Sequence, residues 1–179
     1  MVRALLFATC VGSGVVMSGC TTESCTDIGC QNQASFTVRA PDDTWQAGDY
    51  TLGVSFDGGT TITCHFGMPP EAAPVSLTPL SCAPASAPGL VQVYLQPVTT
   101  CTTTDNGHDS SQSCTPVAGR FYLSVTTTAM PVSAGVTLAL GDADPHFTET
   151  KSFAYSVTQP NGPSCEPTCR QGVAEFRVP

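Results

Sequence analysis

The chain has 179 residues, and 14 Asp and Glu against 6 Lys and Arg give it a formal net charge of −8. That length suits one domain of ~100–200 residues with a core of its own. Six scattered cations cannot build the basic patch that neutralises phosphates, so nucleic acid is excluded as a partner and the acidic balance serves solubility.

In chain order, Met1-Val2-Arg3 is a short positive head, and residues 4–17 (ALLFATCVGSGVVM) are apolar or small throughout. Such a run is too short to cross a hydrocarbon core of ~30 Å as a helix, and it reads as an export signal. It ends in Met17-Ser18-Gly19-Cys20. Hydrophobic, small, small, Cys resembles the lipobox of bacterial lipoproteins, with Met17 where leucine is usual. The resemblance implies that residues 1–19 are removed and that Cys20 is acylated on sulfur and again on its new amino group. More than one acyl chain gives a stable membrane anchor. The implied location is the cell envelope, at the outer membrane or cell surface.

Residues 20–33 are polar and read as a lipidated tether carrying Cys25 and Cys30. Residues 34–179 are expected to form a single domain. In SFTVRA, Phe36, Val38 and Ala40 share one face. In DYTLGVSF, Tyr50, Leu52, Val54 and Phe56 alternate with Asp49, Thr51, Gly53 and Ser55, the mark of a half-buried strand. Asp57-Gly58-Gly59 turns the chain, and TTITCHF puts Ile62, Cys64 and Phe66 on one face, which predicts a hairpin. Further strands are expected at 90–96, 120–126, 135–141, 151–157 and 172–178, the last with Ala174, Phe176 and Val178 inward. No segment shows a helical period. About eight alternating strands without helices need a second sheet over their apolar face, so the expected fold is an all-β, antiparallel β-sandwich, immunoglobulin-like only in the broad sense. Trp45 precedes the best strand instead of lying between paired cysteines as in an antibody domain.

Two stretches break the pattern and are expected as long loops. Residues 67–89 hold six prolines, which cannot donate to a ladder. Residues 97–119 are rich in Thr, Ser, Asp and Gly. Loops this long are usually functional or disordered, and the cysteines in both favour order. They are the candidate sites for a protein or glycan partner. Within the second, Asp105, Asn106, His108 and Asp109 form the candidate binding loop, while the same residues are also good loop-tip formers.

Ten cysteines are present. Cys10 leaves with the signal and Cys20 carries lipid, so an even set remains in an exported chain, which favours disulfides. Cys64 is expected to pin Cys82, and Cys101 to pair with Cys114. The close pair Cys25 and Cys30 is expected to bridge to Cys165 and Cys169, with local closures as the alternative. Zinc is the competing use of these pairs, but neither has the C-x2-C spacing that turns two thiolates onto one ion. A short cysteine-bearing N-terminal piece, Gly48-x-Tyr50 on a strand, and Pro160-Asn161-Gly162-Pro163 followed by Cys165, Pro167 and Cys169 together resemble small, cysteine-rich, uncharacterised lipoproteins of the myxobacterial type. That resemblance implies architecture and location only.

No catalytic signature is present: no G-x-S-x-G, H-E-x-x-H or Walker loop. His65 alternates outward on a strand. His146 lies in the turn GDADPHF, where Asp142 and Asp144 are too few oxygens for a usual calcium loop. The expectation is a non-catalytic, lipid-anchored extracytoplasmic binding or envelope-structural protein without cofactor or metal. Its alternatives are a zinc- or calcium-binding domain, or a secreted hydrolase in which a histidine faces a serine or an acid across a pocket.

Overall fold

The computed structural model describes residues 29–68, 79–85, 90–105, 110–162 and 165–179. They form ten strands and no α-helix: β1 Gln33–Arg39, β2 Gly48–Phe56, β3 Ile62–Met68, β4 Cys82–Ala83, β5 Val91–Asp105, β6 Ser110–Thr127, β7 Ser133–Leu140, β8 Phe147–Ser152, β9 Ala154–Thr158 and β10 Cys169–Arg177. Two five-stranded sheets are built from them, ordered β5-β6-β1-β10-β9 and β4-β3-β2-β7-β8. The fold is the expected all-β sandwich, with ten strands instead of about eight.

Each sheet has one apolar face, and the two faces cover each other. Phe36, Val38, Leu123, Val125 and Phe176 of the first sheet meet Leu52, Val54, Cys64, Val136 and Leu138 of the second, all at most 2 % exposed. The alternation of β2 and β3 is borne out, with Tyr50, Leu52, Val54, Cys64 and Phe66 buried and His65 outside. Their turn bonds Gly59 N–H to Phe56 O at 2.9 Å and places Asp57 and Gly58 at φ 51° and 69°. Two successive positive φ angles match the right-handed strand twist, which is why an Asp-Gly pair serves there.

Two features depart from the sequence expectation. Residues 151–157, expected as one strand, contain a change of sheet. β8 ends at Ser152 on the second sheet, buried Phe153 crosses, and β9 starts at Ala154 on the first. Alternation continues through the crossing, so it leaves no mark in the pattern. The sandwich is also not wholly antiparallel, because β1 lies between β6 and β10 and runs parallel to β10, Phe36 opposite Ala174 and Val38 opposite Phe176.

The lateral sides are closed differently. On one, Leu80 N–H donates to Val93 O of β5 at 2.7 Å while β4 pairs with β3, so residues 80–83 strap the two sheets together. Cys64–Cys82 fixes that strap between directly opposed residues. On the other, Lys151 of β8 reaches across to bond Glu175 O at 2.8 Å and lies over the Phe176 ring. An inward-pointing cation on an edge strand discourages edge-to-edge pairing. Tyr155 covers Gly172, where any Cβ would strike the ring, and donates to Pro131 O at 2.6 Å. Burial pushes its hydroxyl above the usual tyrosine range, the Asp57 carboxylate adds to this, and Arg170 opposes it.

Cys30 is bonded to Cys169 at the head of β10, so the expected bridge between the first and last cysteine pairs is present for this half. Cys165 is disulfide-bonded as well, while Cys25, the other half of the expected bridge, lies outside the described residues. Phe36→Ala is expected to lower stability by ~3–5 kcal/mol in urea unfolding, whereas Val132→Ala, at a residue 71 % exposed, shifts it by less than about 0.5 kcal/mol. Non-reducing peptide mapping is expected to return Cys30 linked to Cys169. A peptide closing Cys165 onto Cys169 would contradict the fold.

Candidate binding surfaces

β5 and β6 are far longer than their neighbours, and their outer halves leave the sandwich. Register shifts between Pro97, opposite Phe121, and Thr99, opposite Pro116, so residues 117–120 are bulged out of the pairing. Such a bulge bends a strand and increases its twist. Beyond it, Thr99–Asp105 runs against Ser110–Pro116 with every residue exposed and no other strand alongside among the described residues. This corrects the expectation of a loop over 97–119: residues 99–105 and 110–116 pair as a two-stranded ribbon. Threonine favours extended backbone wherever its side chain points, and a ribbon wet on both faces needs no apolar alternation.

One ribbon face carries Thr100, Thr102 and Thr104 opposite Thr115, Ser113 and Ser111. The other carries Cys101 directly opposite Cys114, joined by the expected disulfide with Cα atoms 4.0 Å apart. An isolated hairpin is marginal in water, so a covalent bond halfway along supplies what packing does not. Asp105 ends β5 and is exposed, while Asn106, His108 and Asp109 of the candidate binding loop lie outside the described residues. In the other expected loop, Gly67 and Met68 finish β3, residues 79–85 carry the strap, and residues 69–78 and 86–89 also lie outside.

The outward face of the first sheet carries a second surface. Across the strands, register aligns Tyr94, Ser124, Thr37 and Glu175 in one row. Small side chains on the central strands between larger ones on β5 and β10 leave an open trench of ≈ 400 Å³ lined by Ser35, Thr37, Ser124, Val173 and Glu175. On the β5 side, Tyr94 donates to Gln92 Oε1 at 2.9 Å and Tyr122 to Gln96 Oε1 at 2.7 Å. These bonds fix the two carboxamides, and among the described residues nothing accepts from their NH₂ groups. Arg39 lies 4.6 Å over the Tyr122 ring and bonds both Asp43 carboxylate oxygens at 2.9 Å.

On the second sheet, Thr51 and His65 are directly opposed, with Thr51 Oγ1 3.1 Å from His65 Nδ1, in a cleft that Asp49 and Asp142 also line. Thr51 is the only side chain His65 bonds among the described residues. Activation of a hydroxyl needs a base oriented by a third group, and without one this is a cross-strand pair of the kind that stabilises sheets. His146 is exposed beside a cavity of ≈ 250 Å³ that Trp45 and Tyr50 also line, and burial pushes the Tyr50 hydroxyl upward. Among the described residues, no three His, Cys, Asp or Glu side chains are placed to hold a metal ion.

No protein-family model matches this chain, and no curated protein or solved structure matches it. The trench escaped the sequence reading because Ser35, Ser124 and Glu175 become neighbours only through strand register. Its one sequence signal is two tyrosines at the outward positions of strands read by their inward ones.

The ribbon's dependence on its disulfide yields a local prediction. In C101A/C114A, limited proteolysis is expected to cut within residues 99–116 at least about tenfold faster, while the far-UV spectrum of the sandwich is retained. Equal cleavage rates in both proteins would show that the ribbon holds itself.

Proposed function

We propose that the protein is a non-catalytic, lipid-anchored extracytoplasmic β-sandwich with a binding or envelope-structural role, presenting the β5–β6 ribbon as a contact element. The observation that carries the proposal is the state of the cysteines. All seven in the described residues, at 30, 64, 82, 101, 114, 165 and 169, are disulfide-bonded. Such saturation fits an oxidising compartment and suits the export reading of the N-terminus. It also removes the thiolate donors that a zinc site would use. Among the described residues, a calcium or zinc role would have to draw on carboxylates and histidines alone.

A ribbon supports a binding role for a physical reason. It contributes nothing to the core, yet the chain commits two strands and a disulfide to holding it extended. Elements that project from a rigid scaffold are where binding residues usually sit. In this reading, the polar segment after Cys20 spans from the membrane to Cys30, and Cys30–Cys169 transfers that attachment to β10 inside the sheet. Pull on the anchor is then borne by a covalent bond and the β1–β10 ladder.

Intact-mass analysis of the protein extracted from envelopes tests the anchor. The expected species begins at Cys20 and carries diacylglyceryl and amide-linked acyl groups. Cys20→Ser is expected to abolish both and to release the protein from the membrane fraction. A wild-type mass that retains residues 1–19, or lacks acyl chains, would contradict the proposal.

A further inference from the structure

The geometry points to a glycan site in the trench on the outward face of the first sheet, with a short stretch of an uncharged polysaccharide chain as its ligand. The inference rests on the binding reading above but places the contact on a different surface from the ribbon.

Charge selects the ligand class first. The protein is acidic at −8, yet the trench offers no uncompensated charge. Glu175, its one lining ion, is paired with Arg177, and Arg39 at the trench end is held by Asp43. Complementarity therefore favours a neutral partner over a basic or an acidic one. Polar satisfaction then selects its chemistry. Ser35, Thr37 and Ser124 present half-buried hydroxyls along the floor, none of which bonds another side chain among the described residues. The NH₂ groups of Gln92 and Gln96 stand at the β5 side with their oxygens already used by tyrosine hydroxyls. A row of unspent donors and acceptors fits a ligand that is itself a row of hydroxyls.

The walls complete the match. A pyranose has an apolar C–H face as well as its hydroxyl rim, and it rests that face on an aromatic ring or a small aliphatic group. Tyr94 stands directly opposite Ser124 on β5, one strand beyond the lining residues, with no aromatic or cationic neighbour on its ring among the described residues, and Val173, 58 % exposed, lines the trench on the other side. Tyrosine supplies such area at low entropic cost because few of its torsions need fixing. At ≈ 400 Å³ the trench falls within the ~300–1,000 Å³ of small-ligand clefts, and its open form suits a segment of a chain more than an enclosed monomer. The outward face of the second sheet differs. Its cleft has the same volume, but Asp49 and Asp142 line it beside Thr51 and His65 with no Lys or Arg among the lining residues, so it lacks the compensated charge of the trench.

The test is titration of the full, disulfide-intact domain with defined oligosaccharides (cello-, laminari- and chito-series, with oligogalacturonate as the anionic control), followed by amide chemical-shift mapping. Binding of at least one neutral series is expected, with shifts centred on residues 35–37, 124 and 173–175. Tyr94→Ala, and independently the trench-filling Ser124→Gln, are expected to weaken it at least about tenfold, while C101A/C114A leaves it unchanged. Shift mapping on the unaltered protein keeps the test decisive if a variant fails to fold. The inference is overturned if no neutral series binds, if oligogalacturonate binds better, or if the shifts lie elsewhere. Shifts on residues 99–116 would overturn it while upholding the ribbon as the contact element.

Discussion

With no α-helix among the described residues, each of the two sheets has only the other to bury its apolar face. That constraint organises the molecule. Phe36, Leu123 and Phe176 from one side and Leu52, Val54 and Leu138 from the other supply most of the contact. Burial at ~25 cal/mol per Å² makes this layer the main source of stability. It also fixes register, because a slip of one residue on any strand would turn its apolar set outward. β1 depends most on the constraint. It is the first described strand, yet it occupies the centre of its sheet, between β6 and the last strand β10. The core is therefore complete only when both ends of the chain have arrived.

The disulfides follow from the same arrangement. Cys30–Cys169 spans a sequence separation of 139 residues, and it joins the approach to β1 with the start of β10, the two strands whose pairing is most distant in sequence. Cys64–Cys82 and Cys101–Cys114 close local segments at places where packing is thin, a two-residue edge strand and a ribbon without a core. Polar surfaces were thereby freed for other uses. The ribbon presents mainly hydroxyl side chains on backbone held by a disulfide, and the trench sets Ser35, Thr37 and Ser124 beside Val173 and Glu175 on backbone backed by the core.

The sequence made visible whatever alternates about a single buried face. Tyr50, Leu52 and Val54, or Ala174 and Phe176, point one way because a sheet has two sides and water on only one. The β5–β6 ribbon was hidden because water lies on both of its faces, so Thr99–Asp105 has no inward set to reveal a strand. The crossing at Phe153 was hidden for the opposite reason, since a buried residue between sheets keeps the alternation unbroken. The cysteine pairings at 64–82 and 101–114 could be read from their places beside predicted strands, whereas the parallel β1–β10 pairing is a property of topology that no local pattern encodes. The trench belongs to the same class. Ser35, Ser124 and Glu175 are unremarkable one by one, and they form a surface only through three strands in register.

Native-state amide hydrogen exchange measures the central claim, that one inter-sheet core completed by β1 holds the molecule together. The slowest amides are expected on β1, β10 and β2, exchanging together with the free energy of global unfolding, while residues 99–116 exchange through local opening at far lower cost. β1 amides that exchange as readily as the ribbon's, with the rest of the sandwich still protected, would contradict it.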